Sequence, residues 1–204
     1  MKQRNIRRSL GVRLFRWINR HKFAEFGQNV YVFEGVDFSA PSLIELADDS
    51  IIQRHSYLGA RWGEEPTSHP RLTIGSGSNI GPRNHIFAHT RVEIGRKVIT
   101  APNVFISDCS HEFSDPNTAI MEQDTKFLAA TKIGDGSWLG HGSVIIGCTI
   151  GKHCVVGANS VVLSDLPDYS VAVGAPAQVV KQFDPAQHAW VRRCGHADGN
   201  SDWQ

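Results

Sequence analysis

A chain of 204 residues with 41% hydrophobic residues and a formal net charge of +1 can build one sizeable core, and it has no global charge that would favour nucleic acid. Its four cysteines, Cys109, Cys148, Cys154 and Cys194, form neither a CxxC pair nor zinc-finger spacing, which excludes a disulfide or zinc framework and suits a reducing cytoplasm. No apolar run reaches membrane-spanning length, and the basic N-terminus is not followed by a signal-peptide core.

Residues 1–28 carry Lys2, Arg4, Arg7, Arg8, Arg13, Arg16, Arg20 and Lys22 ahead of the first acidic residue, Glu25. Leu10, Leu14, Trp17 and Ile18 are spaced for one helical face, which predicts a basic amphipathic cap over an open end of the fold. Peripheral contact with an anionic membrane is a second reading of the same face. From Val30 to Leu58 a weak six-residue period emerges, with Leu46, Ile52 and Leu58 in phase and Ser50 and Ser56 two residues before an aliphatic position. Residues 61–71, RWGEEPTSHPR, hold two prolines and break the period, so they are predicted to project as a loop, with Trp62 either lining a site or lying on the wall.

The period resumes at Ile74, Ile80, Ile86 and Val92, slips by two to Ile94, and runs through Thr100 to Ile106. It fails again over residues 112–132, which are polar around a few apolar anchors. A long excursion between regular elements is often functional, and an arm or lid is predicted here. Ile133 to Leu163 is the most regular stretch: Ile133, Leu139, Ile145, Ile150, Val156 and Val162 recur every six residues with one step of five, and Gly follows most of them. A helix mixes steps of three and four and a half-buried strand alternates by two, so a period of six points to a parallel β-solenoid. Ser137, Ser143, Cys154 and Ser160 take the small position before each next corner. Residues 29–182 are therefore expected to form the solenoid, with Pro167 and Pro176 bracketing a final partial coil. Residues 183–204 are expected to hold a short closing helix over Phe183 to Cys194 and a frayed tail from Ala197 to Gln204.

The segments ISDCSHEFSDP, IGDGSWLGHGSVIIGCTIGKHCVVGANSVV and DLPDYSVAVGAPAQVVK resemble the hexapeptide-repeat acyltransferases of left-handed parallel β-helix fold, particularly bacterial sugar and polysaccharide O-acetyltransferases. The resemblance covers Ile74 to Lys181. It implies an all-β left-handed helix, a homotrimer with active sites between subunits, acetyl-CoA as acyl donor, a saccharide hydroxyl as acceptor and no metal. It also implies that His111 is the catalytic base, and an imidazole with a pKa of about 6.5 is suited to take the proton of an attacking hydroxyl. By the same resemblance Asn84, Asp108, Asp115 and Trp138 belong to the acceptor site, and Gly140, Gly142, Ala158, Ser164 and Lys181 to the CoA site. A cytoplasmic enzyme, with a surface-polysaccharide or lipid-linked acceptor at the inner membrane face, is the corresponding expectation.

The chain departs from the family pattern in three places. Leu163 and Ser164 stand where many relatives carry Thr-Lys, Gln178 stands where many carry Arg, and Cys109 stands where close relatives often carry a second His. Cys109 and His111, two apart in an extended segment, also permit a Cys–His acyl-enzyme. The competing functions are transfer to an amine of a nucleotide sugar or to an antibiotic, a metalloenzyme of carbonic-anhydrase type using His85, His89 and His111, and a non-catalytic solenoid.

Overall fold

The computed structural model describes residues 10–61 and 70–193. Within them the backbone winds as a three-faced parallel β-helix, the fold the six-residue period predicts, and its coils turn left-handed, opposite to ordinary parallel crossovers. Face A stacks Glu25–Phe26, Ile44–Leu46, Leu72–Ile74, Val92–Ile94, Thr131–Ile133 and Thr149–Ile150. Face B stacks Tyr31–Val32, Ile51–Ile52, Asn79–Ile80, Ile99–Thr100, Trp138–Leu139, Val155–Val156 and Ser170–Gly174. Face C stacks Asp37–Ser39, Tyr57–Ala60, His85–Ala88, Phe105–Ser107, Val144–Ile146 and Val161–Val162.

Each strand is too short to hold itself, so its stability comes from the one inward aliphatic side chain and the coils above and below. Ile74 lies over Ile94, Ile133 over Ile150 and Ile145 over Val162, all buried. Each such side chain contributes roughly 1.5–3 kcal/mol relative to exposure. The small positions serve a second purpose. Ser78 Oγ donates to Gly95 O at 2.7 Å and accepts from Val98 N at 3.0 Å, while Ser137 Oγ donates to Gly151 O and accepts from Cys154 N, both at 3.0 Å. A small hydroxyl residue here fits the interior and ties one coil to the next.

Two of the three corners are built alike in every coil. Between faces A and B, Asn29, Asp49, Gly77, Lys97, Gly136, His153 and Tyr169 all have positive φ, and between B and C so do Gly35, His55, Arg83, Asn103, Gly142 and Asn159. The third corner, between C and A, has no column repeated in every coil, with positive φ at Ala40 and Gly147 among the described residues, and is where both interruptions leave the solenoid. The first described stretch leaves face C after Ala60 and the chain is back on face A at Leu72, and a long excursion exits after Ser107.

Three expectations change. The excursion spans Asp108 to Ala130, because Cys109–His111 already pairs antiparallel with Thr125–Phe127, and Thr131–Ile133 is back on face A. The predicted closing helix is absent: Ala177–Asp184 and Ala189–Arg192 are antiparallel strands, since the open edge of Ser170–Gly174 offers backbone hydrogen bonds that a helix could not use. The helix α1, Leu10–Asn19, caps the first coil through Phe15, which packs on Phe38, while Leu14, Trp17 and Ile18 remain exposed, Trp17 by 77%. Trp62, Cys194 and the segment from Ala197 to Gln204, expected to fray, lie outside the described residues.

Candidate functional site

The third corner gathers most of the chemistry. Asp108 begins the excursion and is fully buried. Its Oδ1 accepts from His89 N at 2.7 Å, and its Oδ2 from Thr90 N at 2.7 Å and Arg91 N at 2.6 Å. Three backbone donors satisfy the buried charge, so Asp108 fixes the bend over residues 89–91 and does not face an acceptor, contrary to its sequence assignment. Its own carbonyl accepts from Leu128 N at 2.9 Å, and Thr131 Oγ1 donates to Ser107 O at 2.7 Å. Both ends of the excursion are thereby pinned to one corner.

His111 stands opposite Thr125 on this hairpin, exposed, and among the described residues its imidazole makes no hydrogen bond. Cys109 turns back to Ser107, Sγ to Oγ 3.3 Å, and burial pushes its thiol pKa up. A protonated thiol engaged with Ser107 is unsuited to the acyl-enzyme reading. Asp115 is exposed, but its oxygens accept from Asn117 N at 2.9 Å and from Thr118 Oγ1 at 2.7 Å, contacts that hold the carboxyl below its usual range and shape its own turn.

Asn84 is a further correction. It is buried, its amide donates to Pro82 O at 3.2 Å and Ala101 O at 2.9 Å, and its carbonyl accepts from Thr100 Oγ1 at 2.6 Å. Every polar atom of its side chain is used in holding the B–C corner. Trp138, 46% exposed, lies on the outer row of face B between Ile99 and Val155.

The residues assigned to CoA do not converge. Gly140 is buried where a Cβ would stand 2.7 Å from both Ala158 N and Val156 O, and Gly142 holds a φ of +66°, so coil stacking and corner geometry account for both glycines. Ala158 is exposed at the same B–C corner, Ser164 at the C–A corner, and Lys181 in the terminal hairpin opposite Val171 and Arg192. Face C separates Trp138 and Ala158 from His111. A cavity of about 400 Å³ lined by His153, Tyr169, Phe183, Pro185 and Trp190 opens beside that hairpin.

His85, His89 and His111 do not form a ligand set. His85 stacks between Tyr57 and Phe105, with ring centroids 4.6 and 5.5 Å away, and among the described residues no three His, Cys, Asp or Glu side chains gather to hold a metal ion. The sequence reading did not find the cluster of Arg61, Arg71, His89 and Asp108. Aligning the coils at Ala60, Ala88 and Asp108 would have brought its members together.

The family model "Bacterial transferase hexapeptide (six repeats)" matches residues 130–164. The chain is 30% identical over 156 residues to a galactoside O-acetyltransferase of Escherichia coli, covering 72% of this chain and 73% of that one. It is 37% identical over 113 residues to the putative lipopolysaccharide biosynthesis O-acetyl transferase WbbJ of Escherichia coli, covering 52% and 58%. The chain spans between 37% and 60% of the length of the first curated relatives it matches. Its fold is similar to that of AntD, an N-acyltransferase from Bacillus cereus solved with dTDP and coenzyme A, with a TM-score of 0.70, 20% identity and coverage of 84% and 89%.

Proposed function

Because the chain belongs to the bacterial hexapeptide-repeat transferases, we propose that it transfers an acetyl group from acetyl-CoA to a saccharide hydroxyl, with His111 as general base. The observation that carries this reading is an exposed imidazole, free of hydrogen bonds among the described residues, on a hairpin anchored rigidly at the solenoid corner. As the hydroxyl oxygen bonds to the thioester carbonyl carbon, the imidazole takes its proton. Collapse of the tetrahedral intermediate breaks the C–S bond, and the proton leaves with the sulfur as free CoA. A backbone N–H at the coil edge would stabilise the oxyanion. Sequence relatives named as O-acetyltransferases favour oxygen over nitrogen as the nucleophile, since the likeness to the N-acyltransferase is one of fold.

Acetyl-CoA suits the outer row of face B, where Ile99, Trp138 and Val155 give the pantetheine arm an apolar wall, and the aromatic cavity beside Tyr169 can take a flat ring. One copy does not bring that wall to His111. The excursion also exposes Phe113, Ile120, Met121 and Leu128, Met121 by 87%, more apolar surface than a monomeric arm ordinarily leaves in water. Both features support a homotrimer whose arms complete neighbouring sites. The exposed Leu14, Trp17 and Ile18 of α1, amid basic residues, support peripheral contact with an anionic membrane and hence a surface-polysaccharide or lipid-linked acceptor.

The test is CoA thiol release across a saccharide panel. His111→Ala is expected to lower turnover by about 10²–10⁴. Full activity in that variant would remove His111 from the mechanism.

A further inference from the structure

The third corner holds more positive charge than its described neighbours neutralise. Arg61 leaves face C, Arg71 enters face A on the next coil, and Arg91 does so one coil later. Arg91 is taken by Glu93. Arg61 and Arg71 have no carboxylate partner among the described residues. Arg61 Nη1 contacts His89 Nε2, and Arg71 Nη1 donates to His89 O at 2.5 Å. The Arg71 Nε–H is buried and makes no hydrogen bond among the described residues, an unfavourable state for a cationic donor unless something else accepts from it.

Among the described residues Asp108 makes no ion pair with either arginine, and both its oxygens accept from the N–H groups of residues 89–91. His89 does not serve as the counter-charge either. A guanidinium can only donate, so in its contact with Arg61 the His89 Nε2 is the acceptor and the ring is neutral, in keeping with the lowering of its pKa by burial and by Arg61 against the opposing Asp108. In that form Nε2 accepts from Arg61 while Nδ1–H donates to Thr90 Oγ1 at 3.1 Å. The clamp thus holds two guanidinium groups around one neutral imidazole, with the single charge of Asp108 nearby and one buried N–H lacking an acceptor among the described residues.

We infer that Arg61 and Arg71 form a receptor for an anionic oxygen group, a carboxylate or a phosphate, carried by the sugar acceptor. A guanidinium fork matches either group with paired hydrogen bonds, and Lys does not reproduce that geometry. The anchor is fixed relative to the proposed base, because Asp108 both clamps residues 89–91 and starts the strand Cys109–His111. This inference rests on the acetyl-transfer reading for its substrate, but the site itself is defined by binding.

The experiment titrates the full chain with inorganic phosphate, glucuronate, glucose 1-phosphate and glucose, by calorimetry and by the NMR signals of His89. Anions are expected to bind and to shift His89, glucose to do neither, and glucuronate against glucose 1-phosphate tells carboxylate from phosphate. Arg61→Gln should weaken anion binding about tenfold to a hundredfold, with Arg61→Lys close to it and an unchanged melting temperature in both. Arg71→Gln also loses the bond to His89 O, so the Arg61 variants carry the test. Anion binding that survives Arg61→Gln, or no anion binding at all, overturns the inference. Acetyl transfer to neutral sugars as fast as to charged ones, insensitive to Arg61→Gln, overturns it while leaving the proposed function standing. Anion binding at Arg61 with no transfer to any saccharide keeps the receptor and overturns the function.

Discussion

At the residue scale, identity and environment part company at the corners. The proposal of His111 rests on the DCSHEFSDP context at the end of the regular period, whereas the buried settings of Asn84 and Asp108 were not legible, because nothing in a residue's type tells whether its polar atoms face inward. Their hydrogen bonds to backbone groups distant in sequence decide it, and those depend on the winding. Titration obeys the same logic. Burial lowers the pKa of His85 and of His89, the latter with help from Arg61, below the unfolded value of about 6.5. The folded chain then takes up these protons less readily than the unfolded one. Stability from this source is complete above about pH 6.5 and is lost as the pH falls through the folded pKa values. Urea midpoints measured from pH 8 to pH 5 should therefore fall on acidification, and His85→Phe should flatten part of that decline. Cys148, buried and with its pKa pushed up to about 11, should resist iodoacetamide at pH 8 until the chain is denatured.

At the level of elements, the six-residue period disclosed which side chains point inward, because every coil repeats the same geometric demand. It did not disclose the terminal hairpin, whose strands pair with an edge that exists only once Ser170–Gly174 is in place. Nor did it reveal that both interruptions share a corner, since that depends on stacking coils of unequal length. The third corner accommodates the difference: the coil from Ile74 to Ile94 is longer there than the coil from Ile133 to Ile150. A three-residue insertion between Leu163 and Ser164, exposed at this corner, should cost under about 1 kcal/mol, as loop length enters closure entropy only logarithmically. The same insertion between His141 and Gly142 would break the positive-φ column. It should cost several times more, and chemical denaturation of the two variants measures the difference.

Considered as a whole molecule, the chain presents three surfaces whose burial it does not complete alone: the outer row of face B, the apolar side chains of the excursion, and one face of α1. Sedimentation should give a trimer, with Met121→Glu shifting it toward monomer and lowering transfer together. Flotation with vesicles should give binding to anionic but not neutral lipid, reduced by Trp17→Ser without change in oligomeric state. The two ends of the solenoid are also unlike. Phe15, Phe23 and Phe38 close the first coil as an aromatic plug, while the terminal hairpin extends face B and leaves Val161–Val162 as the last strand of face C among the described residues. In a stack held by nearest-neighbour contacts, fraying starts where a unit has a neighbour on one side only. The array therefore has a polarity of opening: it unzips from its C-terminal coils, and the proposed base and anion receptor, several coils inward, are among the last parts to lose their shape.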